Sequence, residues 1–353
     1  MGSEKVLYMI INPIHPYILD IYHMCALQKG LDGRTRWREK WMSDTLVKQT
    51  EKDIHKILLI TFNPATDEYY PVRWATYRKH TEIGGIHRFD FILDDFVNIN
   101  DTLSLAKDQV TSFSKYMKNK YQGFLGTKPD QRKAIFVGND YTKVCSLIEE
   151  KSQALSEVQR WGNITQLLSG INEYSGKEFI KIVDFLTTSG ESVSIVNGKY
   201  VLKDNTYYEI KVVQHIYESS APITISQHEM KISCPPEHSD ILKPIVSIVG
   251  KYDTFSFMIK TKDVKSNTNS YIDIDIDTGI KENTYDLQIP LQIEPAVRVS
   301  KIVSIGLAIV FAICLLFNGV WFNLPEQGLE LLRILLIIST MSITDSRNLL
   351  ITK

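Results

Sequence analysis

A run of 21 uncharged residues near the C-terminal end, Ile302 to Phe322, constrains this chain more than any other feature. A helix rises 1.5 Å per residue, so about 20 apolar residues match a hydrocarbon core roughly 30 Å thick. Trp321 and Phe322 end the run, where aromatic side chains favour a membrane interface. The run therefore predicts a transmembrane helix rather than the core helix of a globular domain.

A second apolar segment follows a polar turn at 323–328. Only Ile334 to Thr344 is free of charge, and Glu330 and Arg333 lie three residues apart on one helical face, where they can pair. We expect a second, short crossing that completes a C-terminal transmembrane helical hairpin; a half-inserted or interfacial segment is the alternative. Glu330 and Arg333 are then the polar pair of the membrane hairpin, facing each other, a second copy or water.

Basic residues flank both ends of this predicted hairpin. Arg298 and Lys301 precede it, and Arg347 and Lys353 follow it. Because Lys and Arg are enriched on the cytoplasmic side of membranes, we expect the head and the C-terminus to face the cytoplasm from an inner or plasma membrane. The four cysteines are far apart and form no CxxC motif, which fits a reducing compartment.

The patterns divide the chain into three parts. Residues 1–172 mix helical and strand patterns and predict an α+β cytoplasmic domain. Residues 173–297 carry short strands with turns between them, including Asn197-Gly198, and predict a β-rich, sandwich-like domain. Residues 298–353 are the membrane hairpin and a short tail. The predicted fold class is an α+β cytoplasmic head with a β-sandwich-like second domain and a C-terminal transmembrane helical hairpin.

The stretch "RTRWREKW" interleaves basic residues with tryptophans. Guanidinium groups bind phosphates bidentately, and tryptophan can stack on bases. The predicted anionic-ligand site consists of Arg34, Arg36, Trp37, Arg38, Arg73 and Arg78. Its partner is a nucleotide, a nucleic acid, a protein or acidic headgroups. The alternative is a solvated helix with its tryptophans in the core, since the net charge of −1 adds no general attraction for anions.

Two acidic stretches raise the possibility of a metal. Asp273, Asp275 and Asp277 alternate with isoleucines, so a strand places all three carboxylates on one face, where they can hold Ca²⁺ or Mg²⁺. The alternative is a wet sheet face whose charges prevent edge-to-edge pairing. Asp94-Asp95 at the end of a strand suggests a metal-dependent nuclease, but no acidic-x-Lys pair is evident on the next strand. No cofactor is predicted.

Together these patterns predict a non-enzymatic, membrane-anchored sensor or effector. Its head recognises a ligand or partner, its hairpin acts on the lipid bilayer, and we expect it to form a homo-oligomer. In layout alone this is similar to small prokaryotic antiviral effectors that damage membranes. Two alternatives remain open: a membrane-tethered, metal-dependent enzyme such as a nuclease, and a passive membrane adaptor for a soluble partner.

Overall fold

The computed structural model divides the chain into two compact units, Met1–Glu294 and Pro295–Lys353. It describes residues 5–13, 18–44, 46, 54–126, 132–175, 178–217, 228–242, 244–248, 252–277, 285–296, 299–316, 325–326 and 328–337.

The first sheet of the larger unit has six strands. In chain order they are β1 (Lys5–Ile11), β2 (Asp32–Arg38), β3 (Ile54–Asn63), β4 (Glu68–Ile83), β5 (Ile86–Phe96) and β6 (Ile135–Gly138). Their spatial order is β2-β5-β4-β3-β1-β6; β1 and β3 pair in parallel, and the other neighbouring strands described here pair antiparallel. Both of these strands are apolar on two faces, as strands covered on both sides must be. β2 is an edge strand, and β4 and β5 form a long hairpin that turns at Gly84 and Gly85.

Five α-helices are described in the larger unit, and they range from 4 to 18 residues. They are α1 (Ile18–Ala26), α2 (Leu103–Lys120), α3 (Gln122–Leu125), α4 (Tyr141–Ile148) and α5 (Glu157–Leu168). The side chain of Ser156 accepts a hydrogen bond from the backbone of Gln159, and the Gln159 side chain accepts one from the backbone of Ser156. This capping box starts α5 and separates it from α4 in a stretch whose apolar pattern predicts one long helix.

Ten further strands form two more sheets. They are β7 (Glu178–Thr187), β8 (Ile195–Val196), β9 (Lys199–Lys203), β10 (Tyr207–Ile216), β11 (His228–Ser233), β12 (Ser239–Ile241), β13 (Ile245–Ile248), β14 (Tyr252–Thr261), β15 (Thr268–Asp277) and β16 (Tyr285–Glu294). The second sheet runs β12-β14-β10-β7, and the third runs β13-β11-β15-β16-β9-β8. Phe185 of the second sheet meets Tyr200 of the third with ring centroids 4.7 Å apart, so the two sheets share a sandwich-like core. The predicted hairpin turn is present, with positive φ at Asn197 and Gly198.

Helix α1 connects the first sheet to the other two. Its Tyr22 ring lies 5.0 Å from that of Phe179 on β7, and His23 Nε2 accepts a hydrogen bond from the backbone of Gln288 on β16 at 3.2 Å. The three sheets of the larger unit therefore share one continuous hydrophobic core.

The larger unit also buries an isolated carboxyl group, Glu178, which is 4% exposed and has no hydrogen-bond partner among the described residues. Burial raises its pKa to about 7. Near neutral pH the folded chain therefore keeps a proton on Glu178 that the unfolded chain has released. The contribution of this group to the free energy of unfolding is fully present at low pH and is lost as the pH rises through about 7. We expect the free energy of unfolding to fall by about 2 kcal/mol from pH 5 to pH 8, a fall that Glu178→Gln removes. Urea titrations with equal pH slopes for both proteins contradict this.

The structure corrects the predicted α+β head. The chain is mostly β-sheet, in three sheets, with short helices. One reason is that the segment around Arg34 and Arg38 forms the edge strand β2. The sequence also allowed this segment to be a solvated helix. The other reason is that the chain leaves the helical conformation between α4 and α5, which lowers the helical content.

The predicted transmembrane hairpin is wrong. Among the residues that the structure describes, no helix is both long and apolar enough to cross a membrane. Helix α6 (Val299–Leu316) includes Lys301, and the described helical part of the uncharged run, 302–316, is about 22 Å long, shorter than a hydrocarbon core. The second helical segment, 328–337, contains Glu330 and Arg333. Arg298, Arg347 and Lys353, which set the predicted orientation, lie outside the described residues.

Candidate anion-binding site

Six basic side chains converge on one exposed side of the first sheet, where β2, β5 and β4 lie next to one another. We call this surface the basic face; it consists of Arg34, Arg36, Arg38, Arg78, Lys79 and Arg88. The alternation of β2 puts its three arginines on the same side, and all three are exposed. Arg36 lies directly opposite Arg88 on β5, so sheet pairing brings together cations that are some fifty residues apart in the sequence.

One carboxylate, Asp90, organises the middle of the basic face. Its Oδ1 accepts from Arg34 Nε at 2.8 Å and from Arg88 Nε at 3.0 Å. Burial acts to raise the pKa of Asp90, but these two guanidinium groups outweigh it and hold the pKa below its usual value. Asp90 is therefore charged at neutral pH and accepts from the Nε of two arginines, which leaves their terminal N–H groups for an anion.

Three cations of the basic face form no ion pair among the described residues, although Lys79 lies across the sheet from Asp90. The side chains of Arg36, Arg38 and Lys79 make no hydrogen bond or ion pair within the described part of the chain, and all three are exposed. Arg36 and Arg88 even face each other across the strands as like charges, an arrangement that costs stability. Since Arg88 is paired with Asp90, Arg36 is the member of this pair that has no counter-ion among the described residues, and an anion can supply one.

Arg78 forms the border of the basic face, at a bulge of β4 between Tyr77 and Lys79. Its Nη1 lies 3.3 Å from Asp32 Oδ1 and 3.4 Å from the carbonyl oxygen of Asn197. The turn between β8 and β9 thus touches the edge of the first sheet and fixes this arginine.

Two residues of the predicted site lie elsewhere. Trp37 is on the opposite side of β2 from the three arginines, half-buried, with its indole N–H buried and without a hydrogen-bond partner among the described residues. Arg73 is fully buried, and its Nη1 donates to the carbonyl oxygens of Met24 and Leu27 at 2.6 Å each. The structure thus brings Arg34, Arg36, Arg38 and Arg78 together and separates Trp37 and Arg73 from them.

Arg73 belongs to a buried charge cluster that sequence patterns do not reveal. Glu157 Oε1, at the start of α5, lies 2.7 Å from Lys181 Nζ and 3.5 Å from Arg73 Nη2. Burial lowers the pKa of Lys181 to about 8 and also lowers the pKa of Arg73. Phe96 packs against both cations, with its ring centroid 4.2 Å from the guanidinium carbon of Arg73. The cluster joins the first sheet to β7 and has a structural role.

A cleft of about 330 Å³ lies on the first sheet beside α4 and was also not evident from the sequence. Its walls include Lys29, Lys56, Trp74, Asp94, Asp95 and Tyr141. Lys56 Nζ lies 2.9 Å from Asp94 Oδ2, and Lys29 Nζ lies 2.7 Å from Asp95 Oδ2. The Asp94-Asp95 pair, considered above as a metal site, is thus bound to two lysines that come from distant parts of the chain.

The predicted aspartate triad is only partly described. Ile272 and Ile274 are buried and Asp273 is at the surface of β15, where Gln288 Nε2 donates to its Oδ1 at 3.3 Å. The side chains of Asp275 and Asp277 lie outside the described part of the structure. Within the described residues there is no group of three His, Cys, Asp or Glu side chains that could hold a metal ion.

Glu330 and Arg333 lie in the smaller unit, and both are exposed. No ion pair joins the two side chains, which are both described. Their predicted role as the polar pair of a membrane hairpin has no support in this structure.

Comparisons with known proteins do not place this chain in a family. No family model matches it, and no curated protein matches it. One similar solved structure is the CooA pilin subunit from enterotoxigenic Escherichia coli, which is 12% identical, covers 33% of this chain and 99% of its own, and has a TM-score of 0.20. A similarity this low carries no information about function.

Proposed function

We propose that this chain is a recognition protein that binds the phosphate backbone of a nucleic acid through the basic face. The observation that carries the proposal is the set of six cations on three neighbouring strands, of which Arg36, Arg38 and Lys79 form no ion pair or hydrogen bond among the described residues. Phosphate contacts of this kind give affinity without sequence preference.

The spread of the cations favours a polymer over a small anion. Residues two apart in a strand are roughly 6.8 Å apart, so Arg34 and Arg38 are separated by about 13 Å. A single phosphate group cannot reach both, whereas a chain of phosphates can. Five of the six side chains are arginines, whose planar guanidinium groups bind phosphate oxygens in pairs.

The test is direct binding to a labelled 20-nucleotide single strand, as DNA and as RNA, measured by fluorescence anisotropy. Vesicles of anionic phospholipid are tested in parallel by co-sedimentation. Saturable binding of the oligonucleotides, without preference between two unrelated sequences, supports the proposal. Binding to the vesicles with no binding to either oligonucleotide overturns it in favour of a lipid surface, and no binding to any of these polyanions overturns it altogether.

The predicted homo-oligomer and the cytoplasmic placement of the head stay predictions. So does the alternative that the head is an enzyme. The proposal requires none of them, because backbone recognition by a sheet face needs only one copy of the chain and no bond-making step.

A further inference from the structure

The cleft and the basic face lie on the same side of the first sheet. Lys56 pairs with Thr76, Thr76 with Ile92, and Ile92 with Asp32 in one cross-strand row, next to the row that pairs Arg34 with Asp90. Cross-strand partners share a face of the sheet. The Thr76 hydroxyl donates to Asp94 Oδ2 at 2.7 Å, which places Asp94 on that side too.

The two surfaces are close along β5. Asp90, in the basic face, and Asp94, in the cleft, are four residues apart on one strand, which corresponds to about 13 Å. A polymer on the basic face can therefore continue into the cleft within a few of its repeating units.

The charges of the cleft exclude a simple anion. Its three cations, Lys29, Lys56 and Arg160, face three carboxylates, Asp94, Asp95 and Glu149, so a bare phosphate meets as much repulsion as attraction. An apolar ligand is excluded as well, because it would cover these charges without satisfying them.

Hydrogen-bonding groups remain available in the cleft. Asp94 and Asp95 each accept through Oδ2, and neither Oδ1 accepts a hydrogen bond within the described residues. Arg160 donates Nε to Leu155 O and Nη1 to Phe96 O, and its Nη2 makes no hydrogen bond in the part of the chain that the structure describes. The cleft thus offers carboxylate acceptors and a guanidinium donor to the same ligand.

An aromatic wall completes the cleft. The ring of Tyr141 meets that of Trp74 edge-on with centroids 5.4 Å apart, and Tyr141 is the more exposed of the two. The Trp74 indole donates to Glu149 Oε1 at 2.6 Å, which fixes its orientation. A flat ring can pack against Tyr141, and aromatic side chains tolerate any base in this role.

We infer that the cleft binds the base of one nucleotide of a single strand, with the base against Tyr141 and its amino groups donating to Asp94 or Asp95. This inference rests on the proposed function and identifies the partner as single-stranded. A nucleobase is the ligand class that combines a flat ring with hydrogen-bond donors, the two groups that the cleft can bind.

The test uses the four common nucleoside 5′-monophosphates and isothermal titration calorimetry on the full chain. We expect saturable binding of at least one of them, without competition by inorganic phosphate. Asp95→Asn and Tyr141→Leu should each weaken this binding by about tenfold, since stacking and charged hydrogen bonds contribute on this scale. Asp108→Asn, an exposed change on α2, is the matched control and should bind like the wild type.

The outcomes separate the two proposals. If no mononucleotide binds, or if inorganic phosphate competes equally, the inference about the cleft is overturned, whatever the oligonucleotides do. If mononucleotides bind at the cleft but oligonucleotides bind no more tightly than mononucleotides, the proposed role of the basic face is overturned instead. Thermal melting of each variant shows whether it is folded, and Asp95→Asn, at a half-exposed position, keeps the test valid if Tyr141→Leu does not fold.

Discussion

Replacing Glu157 with Gln is expected to lower the free energy of unfolding by about 3–5 kcal/mol at pH 7, the usual loss when one partner of a buried ion pair is removed. Glu157 is the carboxylate between two buried cations, Arg73 and Lys181, which are 0% and 1% exposed. Burial acts to raise the pKa of Glu157, but the two cations outweigh it and lower the pKa, so the group is charged at neutral pH. Without it, both cations remain buried with no charged partner at this position.

The pH dependence of this loss has a definite sign. The folded-state pKa of Lys181 is about 8, below its unfolded value, so the unfolded chain binds more protons above pH 8 and stability rises with pH from there to about 10.5. Loss of the carboxylate lowers the pKa of Lys181 further, because Glu157 raises it in the wild type. The deficit of Glu157→Gln should therefore be smaller at pH 9 than at pH 7.

Urea denaturation at both pH values measures the effect. Glu191→Gln, an exposed carboxylate on the loop after β7, is the matched control and should change the free energy of unfolding by less than about 0.5 kcal/mol. A loss below about 1 kcal/mol for Glu157→Gln, or a deficit that grows from pH 7 to pH 9, contradicts the account of this cluster.

The double variant Arg36→Ala/Arg38→Ala is expected to weaken binding to a single-stranded 20-mer by about tenfold or more at 50 mM salt, because it removes two phosphate contacts. Both side chains are exposed and have no partner among the described residues, so folding should be unaffected. Fluorescence anisotropy measures the affinity, and thermal melting measures the stability.

The matched control is Lys107→Ala/Lys115→Ala. It removes the same charge from exposed positions on α2, outside the basic face. If this control loses as much affinity as the Arg36/Arg38 variant, the effect is one of net charge, and the basic face is not the site.

Local patterns predicted much of the β structure. The alternation of isoleucines in 272–276 and the turn at Asn197-Gly198 both appear as expected, because a strand's two faces and a tight hairpin turn are encoded by neighbouring residues. The sequence predicted that the arginines of β2 bind an anion, but it did not predict that they lie on a strand. That geometry matters, since it separates Trp37 from the arginines.

The rest depends on contacts between distant residues. Arg88 joins the basic face only because β2 pairs with β5, and the Lys56–Asp94 pair requires β3, β4 and β5 to be neighbours in the correct register. Arg73 reads as an exposed cation in the sequence, but α1 and α5 cover it. The transmembrane prediction failed for another reason: it used the length of an uncharged run, whereas the described helical part of that run, 302–316, is shorter than a hydrocarbon core.

The salt dependence of single-strand binding tests the central claim most directly, namely that the basic face binds a phosphate backbone. Neutralising about four to six phosphates on a single strand predicts a slope of log affinity against log salt of roughly −3 to −4. The Arg36→Ala/Arg38→Ala variant should have a slope shallower by about 1.4, the value for two lost contacts. A wild-type slope near zero, or an unchanged slope in the variant, contradicts the claim.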